Sequence, residues 1–222
     1  RDVAALLAGP PQPREHLEMA NAACSSRSAL AVRPTAREAQ AEAWTAQHML
    51  QIWVLMRVCG VVLLEEVIPQ DLVASVRQAQ AEHFALSPAR APRAHAFQEL
   101  DAASRGGLRQ EVKLPLMPPF TDPRLCAGPL LRSVVKLLVG ERAELDTFSY
   151  IESAPGSLDQ AWHSDAPTPR EHAGCHSPPV GVVAVVPLTH MDEQNGATEF
   201  LAGSHVDVGD PRFWMAEGQE GG

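Results

Sequence analysis

The apolar period changes partway along this chain, and that change limits the possible folds more than any other feature. Up to Gly140 the apolar residues recur at helical spacing: Met49, Ile52, Trp53 and Met56 in one stretch, Leu72, Val76 and Ala79 in a second, and Leu131, Val134, Val135 and Leu138 in a third. Each set shares one face of a 3.6-residue helix and has to be buried against a partner. Beyond Gly140 the runs shorten to strand length, at residues 145–151, about 159–165, 181–190 and 197–202, with Pro, Gly and Asn between them. Short runs punctuated in this way are the pattern of an antiparallel sandwich or barrel.

Local signals set the expected boundaries. Thr35-Ala-Arg-Glu38 is a capping-box sequence and predicts a helix that ends before Gly60. Gly60 to Leu64 then reads as a short buried strand. Pro69 opens a second helix that Ser87-Pro88 closes, and Gly140 stands where the third helix needs a C-terminal cap. The Pro-, Gly- and Arg-rich stretch from Pro88 to Pro129 reads as loops around one strand-like run, Glu111 to Leu116. Asn195-Gly196 lies between two apolar runs and predicts a type I′ hairpin, because both residues tolerate positive φ. Residues 1–34, with Pro10, Pro11, Pro13 and Pro34, read as an irregular leader, and 35–222 as a single domain.

Composition narrows the function classes. A chain of 222 residues with 45% apolar residues can bury one sizeable core. Its net charge of -9 supplies no basic footprint for nucleic acid and does not favour an anionic membrane, so a small-molecule substrate is the expected partner. The longest apolar run, Ile52 to Leu64, is broken by Arg57 and Gly60 and is too short for a bilayer. Cys24, Cys59, Cys126 and Cys175 form no C-x-x-C pair, so neither a disulfide scaffold nor a zinc ribbon is expected, and a reducing, intracellular setting is the default. Oligomeric state is not legible. The chain opens at Arg1 and stops in a Gly/Glu-rich stretch, which reads as a fragment.

The chemistry is concentrated in Gln160-Ala-Trp-His163-Ser-Asp165. Side chains alternate across a strand, so His163 and Asp165 project from one face, where an imidazole and a carboxylate can reach the same ion. Two histidines and one carboxylate on one face of an octahedral iron leave positions open for a co-substrate and dioxygen, and this pair would supply two of the three ligands. An H-x-D spacing by itself is a weak signal, equally that of a surface His beside a solvated Asp. Here it follows the turn Ser153-Ala-Pro-Gly-Ser157 and precedes runs that end at Leu201-Ala-Gly-Ser-His205.

From Gly60 to His205 the chain resembles the phytanoyl-CoA dioxygenase family, iron(II)- and 2-oxoglutarate-dependent oxygenases on a double-stranded β-helix. The matching pieces are Gly60-Val-Val-Leu-Leu64, Leu137-Leu-Val-Gly140, Ala154-Pro-Gly-Ser157, Gln160-Ala-Trp-His163-Ser-Asp165, Val186-Pro-Leu188, Asn195-Gly-Ala-Thr198 and Gly203-Ser-His205. Their order and spacing carry the resemblance. It implies an α+β fold, with N-terminal helices packed on a cupin-like jelly-roll core, and Fe(II) held by His163 and Asp165. It also implies 2-oxoglutarate and O2 as co-substrates, with ascorbate as a reductant, and hydroxylation of a small-molecule or acyl-type substrate. The distal His and the 2-oxoglutarate-binding Arg of the family have no match after Gly203-Ser-His205. The barrel is therefore expected to be incomplete at its C-terminus and the chain inactive by itself.

Other candidates carry less. Lys113 falls where members of the family place a basic residue near the 2-oxoglutarate carboxylate, and a solvent-facing lysine on an edge strand is the other reading. His205 is read as structural, within the Gly-Ser-His turn. His172, Cys175 and His176 lack a second pair to complete a zinc site, and Trp162 reads as core. The rival function is a cupin-like metal- or ligand-binding module that does no redox chemistry.

Overall fold

The computed structural model describes residues 18–20, 22–85, 109–153, 155–157, 159–160, 163, 165 and 181–205. The expectations for the leader before residue 18, the helix end at Ser87-Pro88, Trp162 and the His172/Cys175/His176 loop lie outside the described residues.

The helix that the Thr35 capping box predicts is two helices, α2 (Ala36–Ala41) and α3 (Ala46–Val58), preceded by the short α1 (Arg27–Leu30). One buried carboxylate explains the break. Glu38, 2% exposed, accepts hydrogen bonds from the Thr35 N–H and Oγ1 at the start of α2, and from Thr45 N–H (2.7 Å) and His48 Nδ1 (2.9 Å) at the start of α3. Burial alone would raise this carboxyl. The Thr45 and Thr35 donors more than offset that and hold it well below the usual carboxylate range. Glu42, at φ 51, takes the left-handed conformation that reverses the chain between the two helices.

α3 packs on α6 (Pro129–Val139), burying Ile52 against Val134 and Val32. The Trp44 indole N–H donates to the Leu130 carbonyl at 3.0 Å and ties the same contact. Val32 belongs to β1 (Ala31–Val32), which pairs in parallel with β2 (Leu63–Leu64), so only the end of the strand predicted over Gly60–Leu64 forms a ladder. Arg33 and Arg27 clip this pair through Glu65, and the Arg33 guanidinium holds Glu65 below the usual carboxylate range. The leader expectation is corrected here. Residues 27–32 form α1 and β1, and Ala20, Cys24 and Val32 are buried, because an apolar residue every few positions is enough to dock this stretch on α3.

A second cluster forms where α4 (Gln70–Ala85) lays Leu72 and Val76 against Phe120 and against Leu125 of α5 (Pro123–Cys126). The expected face of Leu72, Val76 and Ala79 is the one that packs. Beside it β3 (Arg109–Lys113) pairs antiparallel with β4 (Ser149–Ser153), from Arg109 opposite Ser153 to Lys113 opposite Ser149. Tyr150 hydrogen-bonds Gln80 of α4 and Glu152, and its burial and the Glu152 carboxylate push the phenol above its usual range.

The later strand-like runs behave differently from expectation. Among the described residues, 181–190 and 197–202 form no ladder. Val186 and Leu188 pack on the α4 cluster, whereas Val183 and Val185 stay exposed, so the run has a half-buried face and, among the described residues, no paired edge. The turn at Asn195-Gly196 is not type I′. Gly196 has φ 80, but Asn195 is not in the positive-φ region. The Asp192 carboxylate instead gathers the N–H groups of Gln194 and Asn195, and Ala197 N–H closes on the Asp192 carbonyl at 3.1 Å.

The chain also carries a disulfide, contrary to expectation. Cys24 and Cys59, 35 residues apart, are bonded with their Cα atoms 6.0 Å apart. Spacing could not reveal the pair, because the packing of Ala20, Cys24 and Leu30 on Val58 and Cys59 at the end of α3 brings the two together.

Candidate metal centre

The C-terminal end of α3 is where the site is built. A helix leaves its last carbonyls without intrahelical partners, and here the turn at 203–205 supplies donors for two of that region. Gly203 N–H donates to the Cys59 carbonyl at 2.8 Å, and His205 Nε2 donates to the Arg57 carbonyl at 3.2 Å. Gly60, at φ +74, makes this possible. A Cβ there would stand 2.3 Å from His205 Nδ1, so only glycine lets the imidazole lie against the backbone. His205 thus ties the Gly-Ser-His turn to the end of α3.

Docking the turn on α3 leaves a small pocket lined by Cys59, Gly60, Glu199, Phe200, Ser204, His205 and His163. His163 Nε2 lies 3.3 Å from Asp165 Oδ1, with the imidazole 31% exposed. Two donors on adjacent vertices of an octahedron, each with a bond of about 2.1 Å, are about 3 Å apart. The pair therefore fits two neighbouring positions on one divalent ion, one neutral nitrogen and one anionic oxygen. No third His, Cys, Asp or Glu joins them among the described residues.

A second H-x-D sequence provides an internal comparison. His190 Nε2 lies 3.4 Å from Asp192 Oδ2, yet His190 is 80% exposed, and the Asp192 carboxylate is occupied in its own turn. The spacing alone is thus no mark of a metal site. His163 differs in lining a pocket.

Lys113 ends β3 opposite Ser149 with its side chain exposed, and it does not line the pocket that His163 lines. Glu199 and Phe200 line that pocket and were not anticipated. Their only sequence signal is that they lie between the Asn195-Gly196 turn and the Gly203-Ser-His205 turn.

The end of α3 thus carries a Gly-Ser-His turn, and the pocket beside it is lined by the imidazole of His163. The chain belongs to the phytanoyl-CoA dioxygenase family, whose family model matches residues 56–220. No curated protein and no solved structure matches it. The family consists of oxygenases of cupin, jelly-roll fold that generally use Fe(II) and 2-oxoglutarate.

Proposed function

We propose that this protein is an Fe(II)- and 2-oxoglutarate-dependent dioxygenase that hydroxylates a small-molecule or acyl-type substrate. The observation that carries the reading is the His163 and Asp165 pair, 3.3 Å apart, with His163 in the pocket wall, in a chain of this family. His163 would give a neutral nitrogen and Asp165 an anionic oxygen to Fe(II). Fe(II) held there would supply oxidation by dioxygen coupled to the 2-oxo acid, with ascorbate as the reductant. The chain's own residues bind and orient. Gly60 and His205 fix the wall, and Phe200 and Leu201 add apolar surface to it. Lys113 is assigned to the 2-oxoglutarate carboxylate, through a charge-assisted hydrogen bond. The double-stranded β-helix is assigned to this chain from the family match, since the runs at 181–190 and 197–202 form no ladder among the described residues.

Ligand linkage tests this reading. A co-substrate that binds only the folded, metal-loaded protein raises its melting temperature. With Mn(II) present, 2-oxoglutarate is expected to raise the Tm, and to leave it unchanged when the metal is chelated or when His163 is replaced by Ala. A shift that survives both changes would place the 2-oxo acid somewhere else.

A further inference from the structure

We infer that the Cys24–Cys59 bond is installed in an oxidising compartment by a disulfide-donating partner while the chain is still folding, and is then sealed inside the packed cluster at the end of α3.

The bond joins residues 35 apart in sequence, with Cα atoms 6.0 Å apart, a separation at which two cysteines can be bridged. Both residues are nearly closed to solvent, Cys24 at 7% exposed and Cys59 at 2%. Ala20 and Val58 are buried with them, and Leu30, Leu55 and Ala202 pack against the same cluster. Cys59 also lines the pocket beside His163, but at that exposure its sulfur is closed to a thiol the size of glutathione.

Thiol–disulfide exchange requires a thiolate to reach the sulfur that it attacks, so neither formation nor reduction proceeds through the closed cluster. The bond therefore has to form before the cluster closes. A compartment held reduced by glutathione keeps thiols reduced at that stage, so the setting is an oxidising one, in place of the reducing setting expected from the cysteine spacing. Cys126 remains a free thiol, half-buried, so pairing follows which cysteines folding brings together. Burial also separates this bond from the exposed, low-pKa cysteines that exchange in a catalytic cycle.

The step balances with a disulfide donor. One cysteine thiolate attacks the donor disulfide, forms a mixed disulfide and expels one donor thiolate. The second cysteine thiolate then attacks the protein sulfur of that intermediate and expels the other. Two electrons and two protons pass to the donor, which leaves as a dithiol.

The inference does not rest on iron at His163, and its test reads bonds rather than activity. The full chain is made once in a bacterial periplasm and once in a reducing cytosol, denatured in iodoacetamide without reductant, and its peptides mapped. The linked Cys24–Cys59 peptide is expected from the periplasm and at least about tenfold less from the cytosol. Equal bonding from both, or a bond from Cys24 to Cys126 or Cys175 instead, would overturn the inference. Refolding the reduced chain gives a second reading that needs no periplasmic yield. Oxidised glutathione present from the start should form the bond at least about tenfold faster than the same oxidant added after the urea is diluted, and equal rates would show that the cluster does not seal the sulfurs.

Discussion

Gly60 and His205 are held face to face at the end of α3, with the imidazole packed where a Cβ on residue 60 would have to sit. The contact joins two parts of the chain 145 residues apart in sequence, and it forms the wall of the pocket that also holds His163. Gly60→Ala meets two penalties, the positive φ of +74 and the overlap with His205 Nδ1 at 2.3 Å. A loss of about 1–3 kcal/mol is expected from such strain. Because part of it is the clash with the imidazole, His205→Ala in the same chain should give less than the sum of the two single losses. Urea unfolding of the four proteins measures this, and strict additivity would remove the contact from the account.

Glu38 should matter through its charge. Glu38→Gln replaces one of the two acceptor oxygens that serve Thr35, Thr45 and His48 and removes the charge, and it should lower the Tm by several degrees at neutral pH. The folded carboxyl is depressed below its ordinary value of 4.5, so its stabilisation is fully present above that value and is lost as pH falls towards the folded one. The gap in Tm between the two proteins should be constant from about pH 8 to 5 and narrow below about 4.5, which thermal melts across that range would check.

The capping box was legible because its partners lie three residues apart, and so was the α4 face, whose residues meet one neighbouring cluster. The end of α2 was not. It depends on Glu38 reaching forward to Thr45 and His48, a choice that the spacing of the apolar residues does not encode. Pairing of β3 with β4 and of Cys24 with Cys59 depends on contacts across 36 and 35 residues or more, which no local pattern specifies. For the site, the His163 and Asp165 spacing was readable, but His190 and Asp192 show the same spacing with the imidazole far more exposed. What distinguishes the two pairs, the wall built by Cys59, Gly60 and the 203–205 turn, exists only after folding.

The disulfide should also be a stabilising element. In the chain-entropy account, closing a loop of 35 residues removes about 3–4 kcal/mol of disorder from the unfolded state. Denaturant unfolding with and without dithiothreitol should differ by an amount of that order. No difference would mean that the N-terminal segment stays docked without the bond.

Lys113 provides a test of the co-substrate assignment. A charge-assisted hydrogen bond contributes roughly 1.5–3 kcal/mol, so Lys113→Ala should weaken 2-oxoglutarate binding to the Mn(II)-loaded protein by about tenfold or more. Calorimetry gives the affinity directly. An unchanged value would return Lys113 to the exposed edge of β3 with no part in the site.

Anaerobic titration with Fe(II) or Mn(II), comparing the unaltered chain with Asp165→Ala, tests the central claim most directly. The account predicts one ion bound by the unaltered chain and an affinity at least about tenfold weaker in the variant, because a site short of one of its donors holds a divalent ion loosely. Asp192→Ala, made in the other H-x-D pair, should bind as the unaltered chain does. Equal affinity in the unaltered chain and Asp165→Ala would contradict the assignment of His163 and Asp165 as ligands of one ion.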